Sequence, residues 1–386
     1  MRNSKAVKTD KPSFTERLDA AGRRHNAGID LLRIVSMFYI VALHTTSTGW
    51  GGLIDTVQRG TIQFTLCAVI RAVTIVGVDV FALISGFVGY SDERKSVRTT
   101  GLMHLYLQVV TCGLFAVLIS AVLYPGSVGV RDAVTPFFPI TCSLYWYYSA
   151  YVGLFLVMPV LNAGLRHTPK RILRVVFLAM FTAFSVYACV CDRFKLEAGY
   201  TMIWLILLYI LGGVMKKCEI GKRMRPWTAF AGVVVLTAVT CLWKLYGLKI
   251  SAFGLEIDRN TLILYTSPTV LGASVLYVIG FSKLRCGRFL KRLAAFAAPC
   301  VFAVYLLNSN SLIREWLVVG RFAHLSDASP LVLVGTILGF SLAFVAVCIL
   351  LDRVRLWVFD LLRIPKLLAA IDRAVHAFVR KRIPND

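Results

Sequence analysis

The chain has 386 residues, of which 58% are hydrophobic and only 16% are charged. This composition excludes an ordinary water-soluble domain and is typical of a polytopic membrane protein. The net charge of +23 would also suit a nucleic-acid-binding protein, but the distribution of the basic residues gives a different explanation.

Ten apolar segments are long enough to cross a hydrocarbon core of about 30 Å. They lie near residues 29–48, 72–90, 102–124, 144–162, 172–190, 200–215, 227–246, 261–281, 299–317 and 330–351. The segment at 200–215 is the shortest, and residues 61–71 could form an interfacial helix. We therefore predict an all-α polytopic membrane protein with about ten transmembrane helices and both termini cytoplasmic.

The basic residues support this topology. About three quarters of the 43 Lys and Arg residues lie in the two ends of the chain and in every second loop between the predicted segments, which this topology places on one side of the membrane. Such an excess marks the cytoplasmic side, so no nucleic acid is needed to explain the charge. We predict three parts: a cytoplasmic segment 1–27, a ten-helix membrane domain 28–351 and a basic amphipathic tail 352–386 that lies on inner-leaflet lipids. The ten cysteines are mostly scattered through apolar runs, which indicates packing rather than a metal site.

Three ionisable residues, Asp30, Arg33 and His44, interrupt the first apolar segment. Such groups cost several kcal/mol inside a membrane unless they are paired or hydrated, so they indicate a functional site. At about 100° per residue, the eleven steps from Arg33 to His44 return to nearly the same side of a helix, roughly 16 Å further along its axis. Asp30 lies on the same stripe. The spacing predicts one helix face with an acid, a fixed cation and a titratable base.

The second segment, 72–90, contains Asp79 at a depth that His44 could reach if the two helices pack together. A carboxylate bonded to one imidazole nitrogen would fix the tautomer of the ring. Alternatively, Asp79 is a structural counter-ion for Arg33 or Arg71. Small residues that would let the backbones approach closely in this segment are Gly77, Ser85 and Gly86.

Two further groups of residues are candidates for ligand binding. A short loop after the second segment carries Arg94, Lys95 and Arg98, which could hold a phosphorylated cofactor or could simply reflect the cytoplasmic excess of basic residues. The fourth segment begins with a dense group of aromatic rings, which could form an interfacial belt or hold the apolar faces of sugar rings. The candidate sugar-binding residues are Tyr145, Trp146 and Tyr148.

Taken in order, these motifs resemble acyltransferase family 3, a family of bacterial membrane proteins that O-acylate surface glycans. The resemblance covers roughly residues 24–320. The matching motifs are Asp30 with Arg33-(ten residues)-His44, Gly77-Val-Asp79-Val-Phe81 followed by Ser85-Gly86-Phe87, the Arg94/Lys95/Arg98 stretch, and Tyr145-Trp146-Tyr-Tyr-Ser-Ala-Tyr followed by Pro159-x-Leu-Asn162.

The resemblance implies that Arg33 and His44 are the essential pair, with Asp30 as the accompanying acid, and that acyl-CoA, by default acetyl-CoA, is the donor. From their positions in the sequence we add Asp79 to the expected catalytic set, and we expect Ser85 and the basic loop (Arg94, Lys95 and Arg98) to bind the donor without a metal. The acceptor would be a glycan or lipid-linked sugar, and the location a bacterial cytoplasmic (inner) membrane. Asn308 departs from the family pattern, in which a His often occupies this position. An amide can hydrogen-bond but cannot perform acid–base chemistry.

The residues leave two other functions open. A transporter or flippase for a glycan lipid or an acyl group would also place charges inside the membrane, although no internal repeat is evident. A non-catalytic component of a polysaccharide-assembly machine would bind no donor, and its partners would be other polysaccharide-assembly proteins.

Overall fold

A computed structural model describes residues 26–91, 99–252 and 255–382 of the chain, and these residues are almost entirely helical. The long helices are α1 Ala27–Thr46, α2 Ile62–Thr74, α3 Gly77–Gly89, α4 Thr99–Leu123, α5 Trp146–His167, α6 Lys170–Phe181, α7 Met202–Lys217, α8 Pro226–Tyr246, α9 Pro268–Ser282, α10 Arg288–Ala297, α11 Val301–Ser309, α12 Ser311–Leu317, α13 Pro330–Leu361 and α14 Ile364–Arg382.

Short elements connect these helices. They are the α-helical turns Leu53–Thr56 and Val130–Val134, the 3₁₀ turns Thr135–Phe137, Glu197–Gly199, Thr261–Ile263, Ala298–Cys300 and Ala323–Asp327, the π-helical turn Thr182–Tyr187, and the strands Ile250–Ala252 (β1) and Leu255–Ile257 (β2). The two strands form an antiparallel hairpin in which Ile250 lies opposite Ile257.

The prediction of an all-α polytopic membrane protein is confirmed. Each of the ten predicted segments overlaps at least one helix, although 299–317 is divided at Asn310 between α11 and α12. In the described part of the chain eight helical stretches are long and apolar enough to cross a membrane, and the one in this region is Arg288–Ser309. The segments predicted at 172–190 and 200–215 contain α6 and α7, which are 12 and 16 residues long and fall short of that length. Ten crossings, and cytoplasmic termini, therefore remain a prediction.

The uncertain region 61–71 forms α2, which is continued by α3 after a short break. Together they make one apolar stretch of 28 residues, Ile62–Gly89. At the other end of the chain, α13 continues as far as Leu361, and α14 begins just before Pro365. A proline fits there, because the first turn of a helix has backbone N–H groups without intrahelical partners.

Helix α1 lies at the centre of the bundle. It packs against α2, α3, α9, α10, α11 and α13, and twelve of its twenty residues are buried. Because neighbouring helices rather than lipid surround much of α1, the polar residues of its stripe can be satisfied by protein groups. The position of α1 thus explains how an acid, an arginine and a histidine are accommodated in one helix.

Two glycines of α3 determine which neighbours that helix contacts. A Cβ atom at Gly77 would lie 2.8 Å from the carbonyl oxygen of Ser36 in α1, and one at Gly86 would lie 2.0 Å from that of Tyr209 in α7. Only glycine permits these approaches, which confirms the close packing predicted at both positions. Helix α3 is therefore held between α1 and α7.

A buried polar network joins α4 to α13. Asp352 is 2% exposed and pairs with Arg355 through two contacts of 2.6 and 2.8 Å. The amide of Gln108 in α4 donates to the same carboxylate at 3.1 Å. The carboxylate thus accepts three hydrogen bonds, which offsets the cost of burying its charge.

Candidate functional site

The inner part of the predicted stripe is an ion pair at the beginning of α1. The Asn26 side chain caps the helix by accepting hydrogen bonds from the backbone N–H groups of Gly28 and Ile29. One turn later the Arg33 guanidinium donates to the Asp30 carboxylate at 2.7 Å. Asp30 is nearly buried, whereas 27% of the Arg33 side chain is exposed. The spacing predicted that the two residues share one face of the helix, and their pairing leaves part of the guanidinium accessible to a ligand.

The outer part of the stripe is His44, whose partner comes from α11. The Nδ1 atom of His44 is hydrogen-bonded to the side-chain oxygen of Asn308, and Asn308 is fully buried. Because an amide oxygen can only accept, Nδ1 carries the proton and Nε2 of a neutral ring keeps its lone pair. An asparagine holds a catalytic histidine in a Cys-His-Asn triad in the same manner. The contact leaves Nε2 available as a base or a nucleophile.

The imidazole of His44 is also held by a tryptophan. The ring of Trp50 lies parallel to it, with 3.7 Å between ring centroids and 14° between planes. The guanidinium of Arg314 lies 5.1 Å from the centre of the Trp50 ring, in the range of a cation–π contact. Stacking restricts rotation of the imidazole, so Asn308 and Trp50 together fix the direction of Nε2.

A small cavity of about 10 Å³ lies beside α1, between the levels of Arg33 and His44. Two of its lining residues, Met37 and Ile40, belong to α1 and lie four and seven residues beyond Arg33 on nearly the same side of the helix. The lining is entirely apolar. The other lining residues are Val78, Phe81, Tyr147 and Tyr305. The cavity therefore lies along the line that joins the two ends of the stripe.

Asp79 does not contact His44, and the proposed carboxylate–imidazole pair is wrong. Its Oδ1 atom accepts a hydrogen bond of 2.9 Å from the indole N–H of Trp204 in α7. Oδ2 is buried with no hydrogen-bond partner among the described residues. Asp79 is seven residues from Gly86, so both face α7, whereas Gly77 faces α1. Gly77 also lies level with Ser36, roughly 12 Å below His44 by helical rise.

The alternative, in which Asp79 neutralises an arginine, is not observed either. Arg33 pairs with Asp30, and the guanidinium of Arg71 donates to the Ser47 hydroxyl at 2.9 Å. Asp79 is fully buried, and a buried carboxylate with one free oxygen is costly unless it is protonated or bound to a ligand. Its place in the predicted catalytic set remains a prediction.

The predicted sugar-binding aromatic residues lie at the start of α5, close to α11. Tyr145 is 1% exposed, and its hydroxyl accepts from the side-chain amide of Asn310 at 3.0 Å. Tyr148 is 2% exposed, and half-buried Trp146 packs against Tyr200 with 5.0 Å between centroids. Tyr145 and Tyr148 present no open ring face in this conformation, so sugar stacking on them would require the start of α5 to move. Sugar binding by the three residues remains a prediction.

Helix α11 and the residue that follows it lie between α1 and α5 and are hydrogen-bonded to both. Besides Asn308 and Asn310, they contribute Tyr305, whose hydroxyl accepts from the backbone N–H of Tyr147 at 3.2 Å. This N–H group is in the first turn of α5, where no intrahelical acceptor exists. Tyr147 is one of the residues that line the cavity. Its hydroxyl is buried without a hydrogen-bond partner among the described residues. The aromatic segment is thus fixed to the helix that holds His44.

The predicted donor-binding residues are only partly described. The Ser85 hydroxyl donates to the carbonyl of Phe81 in its own helix at 3.2 Å, so it is satisfied without a ligand. Arg94, Lys95 and Arg98 lie in 92–98, outside the described residues. Contact of these four residues with a donor remains a prediction.

Sequence reasoning missed three residues around His44. Trp50 and Ser47 follow the first span, and Arg314 lies in α12. A tryptophan six residues after an intramembrane histidine was one available signal. Another was the pair of asparagines, Asn308 and Asn310, at the end of an apolar helix. Neither signal indicates which side chain it would meet. His44 and Asn308 are 264 residues apart in the sequence, and the stacking of Trp50 on His44 depends on the turn that follows α1.

One of the comparisons with known proteins gives a match. No curated protein and no solved structure matches the chain significantly. The sequence profile of one domain family, described as an acyltransferase domain, matches residues 26–353. The matched region begins at the residue that caps α1 and ends within the buried network of α13, so it includes His44, Asn308 and the ion pair at Arg33. The chain belongs to acyltransferase family 3.

Proposed function

We propose that this protein transfers an acyl group, by default acetyl, from cytoplasmic acyl-CoA to a hydroxyl group of a cell-surface or lipid-linked glycan. Membership of the family supports acyl transfer in general. The observation that carries the assignment to a residue is the contact between His44 Nδ1 and the Asn308 oxygen, which leaves Nε2 free. A neutral imidazole with one fixed nitrogen is the form that removes a proton from a hydroxyl.

In the direct route, Nε2 of His44 takes the proton of the sugar hydroxyl while the hydroxyl oxygen attacks the thioester carbonyl. The C–S bond then breaks, and the imidazolium returns the proton to the departing CoA thiolate. In the alternative route, Nε2 itself attacks the thioester carbonyl, the C–S bond breaks and CoA leaves as the thiolate. The sugar hydroxyl then attacks the acyl-imidazole, the N–acyl bond breaks to release Nε2, and the hydroxyl proton goes to the thiolate. Both routes need the same free nitrogen, and Trp50 and Asn308 would orient it in either.

The position of the cavity supports a donor that enters from the Arg33 end of α1. Arg33 is partly exposed and always charged, so it suits a phosphate of CoA. The pantetheine arm of CoA is comparable in length with the rise of about 16 Å from Arg33 to His44. The apolar cavity beside Met37 and Ile40 has room for about one water molecule, so the arm would have to widen it by displacing the neighbouring side chains. With cytoplasmic termini, as predicted, the donor would enter from the side on which acyl-CoA is made.

The test is the acyl content of surface glycans in cells that carry the wild-type protein or His44→Ala. His324→Ala is the matched control, because His324 is an exposed histidine in the 3₁₀ turn Ala323–Asp327. Mass spectrometry should show glycans that carry an added acyl mass with the wild type and the control and none with His44→Ala, at equal amounts of membrane protein. Normal acylation in His44→Ala would refute the role of His44.

The two chemical routes can be separated with labelled acetyl-CoA and purified protein in the absence of acceptor. An acyl-imidazole would place the label on His44, where peptide mass spectrometry after rapid quenching would find it. Unlabelled protein that still transfers the acyl group when acceptor is added would support the general-base route.

A further inference from the structure

Two arginines beside His44 have no acidic partner. Arg71 in α2 bonds to Ser47, three residues after His44, and Arg314 lies over Trp50, which stacks on His44. Both guanidinium groups contain a buried Nε atom without a hydrogen-bond partner. Within the described part of the chain, neither lies within 4 Å of a carboxylate.

Unneutralised charge at this depth is costly. A partly buried guanidinium loses hydration, and the loss is normally offset by a carboxylate or another anion. Asp55 is in the same neighbourhood and accepts a hydrogen bond from Thr48 at 2.7 Å, but it forms no ion pair with either arginine. Lys244 is close enough to Arg71 for their charges to repel, and Asp258 offsets part of the Lys244 charge. The end of α1 that bears His44 is therefore positively charged, with hydrogen-bond donors left free.

We propose that the acceptor carries an anionic group, a phosphate or a carboxylate, which Arg71 and Arg314 bind beside the hydroxyl that is acylated. This inference rests on the proposed function and specifies its acceptor. Guanidinium groups suit this task, because their planar donors match the oxygen atoms of phosphates and carboxylates. Arg71 comes from α2 and contacts Ser47, and Arg314 comes from α12 and contacts Trp50. An anion bound by both would place a neighbouring hydroxyl near His44.

The anion could belong to the glycan, as in a uronic acid, or to a prenyl phosphate that carries the glycan. Two matched pairs of probes distinguish these sources: methyl glucuronide against methyl glucoside, and decaprenyl phosphate against decaprenol. We would measure equilibrium binding of each labelled probe to the purified full chain in nanodiscs of neutral lipid. The wild type should bind the anionic member of at least one pair about tenfold more tightly, as a charge-assisted hydrogen bond would give, and less so at high salt.

The variants test whether the arginines cause this preference. Arg71→Gln and Arg314→Gln should each reduce it several-fold, and the corresponding lysine variants should keep part of it because the charge remains. The matched control is Arg131→Gln, which removes an exposed arginine in the turn Val130–Val134 and should change nothing. Preference in the glucuronide pair would assign the anion to the glycan, and preference in the prenyl pair would assign it to the carrier.

Three results would overturn the inference. They are equal binding of both members in both pairs, an undiminished preference in the glutamine variants, and glutamine variants that lower the turnover rate without changing binding. The last result would assign the arginines to stabilisation of the transition state instead. None of these results touches the role of His44, because acylation that depends on His44 is measured separately on surface glycans. The two proposals can therefore fail independently.

Discussion

Replacement of Asn308 by alanine tests the arrangement around His44. Asn308 is fully buried, and its oxygen is the acceptor for the Nδ1 proton of His44. Without it, the imidazole loses a hydrogen bond that water cannot easily replace, which costs about 1–3 kcal/mol. The tautomer that keeps the Nε2 lone pair also loses its advantage. At 1.36 kcal/mol per factor of ten, Asn308→Ala should lower the turnover rate about 5- to 150-fold.

The assay is transfer of labelled acetyl from acetyl-CoA by purified protein, with the rate divided by the amount of folded protein. Asn162→Ala is the matched control, since Asn162 is another buried amide whose oxygen accepts a hydrogen bond, here from the Tyr209 hydroxyl at 3.0 Å. Asn162→Ala should lower the melting temperature but leave the turnover rate close to that of the wild type. Asn308→His should recover part of the activity, because an imidazole nitrogen can accept the same proton.

Two outcomes would refute this reasoning. In one, Asn308→Ala turns over at the wild-type rate, so the contact does not matter for chemistry. In the other, Asn162→Ala loses as much turnover as Asn308→Ala, so any buried amide in the bundle has the same effect.

Three further predictions concern packing, the buried network and the donor. Gly86→Ala should lower the apparent melting temperature by an amount equivalent to about 1–3 kcal/mol, because the alanine Cβ would lie 2.0 Å from a carbonyl oxygen of α7. Gly101→Ala is the control, because its Cβ would meet no atom within 4 Å. Equal melting temperatures of the two variants would contradict the close packing. Asp352→Ala should cost about 3–5 kcal/mol, because it leaves the Arg355 guanidinium without its acid partner, and an unchanged unfolding transition would contradict this. Arg33→Gln should weaken CoA binding by the folded protein in equilibrium dialysis and should also lower the melting temperature, because nearly buried Asp30 loses its charged partner; unaltered CoA affinity would remove Arg33 from the donor site.

Local geometry is the part of the site that the sequence predicts. Asp30, Arg33 and His44 belong to one helix, and helical periodicity alone places them on one side of it. The same holds for the two glycines of α3, because a missing side chain implies a close neighbour whatever that neighbour is. Composition also predicts the all-α membrane fold, since long apolar segments can cross a bilayer only as helices or closed barrels.

Partners between helices are the part that the sequence does not predict. Asp79 and His44 are both polar groups in adjacent spans, and their pairing is chemically sensible. The structure pairs Asp79 with Trp204 and His44 with Asn308, because the rotation of α3 about its axis directs Asp79 towards α7. That rotation depends on packing along the whole helix. Tyr145 and Tyr148 illustrate the same point, since a run of aromatic rings does not reveal which rings are covered by α11 and its neighbours.

Acyl transfer by the purified protein shows directly whether His44 performs the chemistry. The wild type and His44→Ala, each reconstituted in proteoliposomes, are supplied with acetyl-CoA labelled in the acetyl group and with a glycan–lipid extract from cells that lack the protein. We expect label in the extract with the wild type and none above background with His44→Ala, although both proteins are folded. Transfer by His44→Ala at the wild-type rate would contradict this expectation.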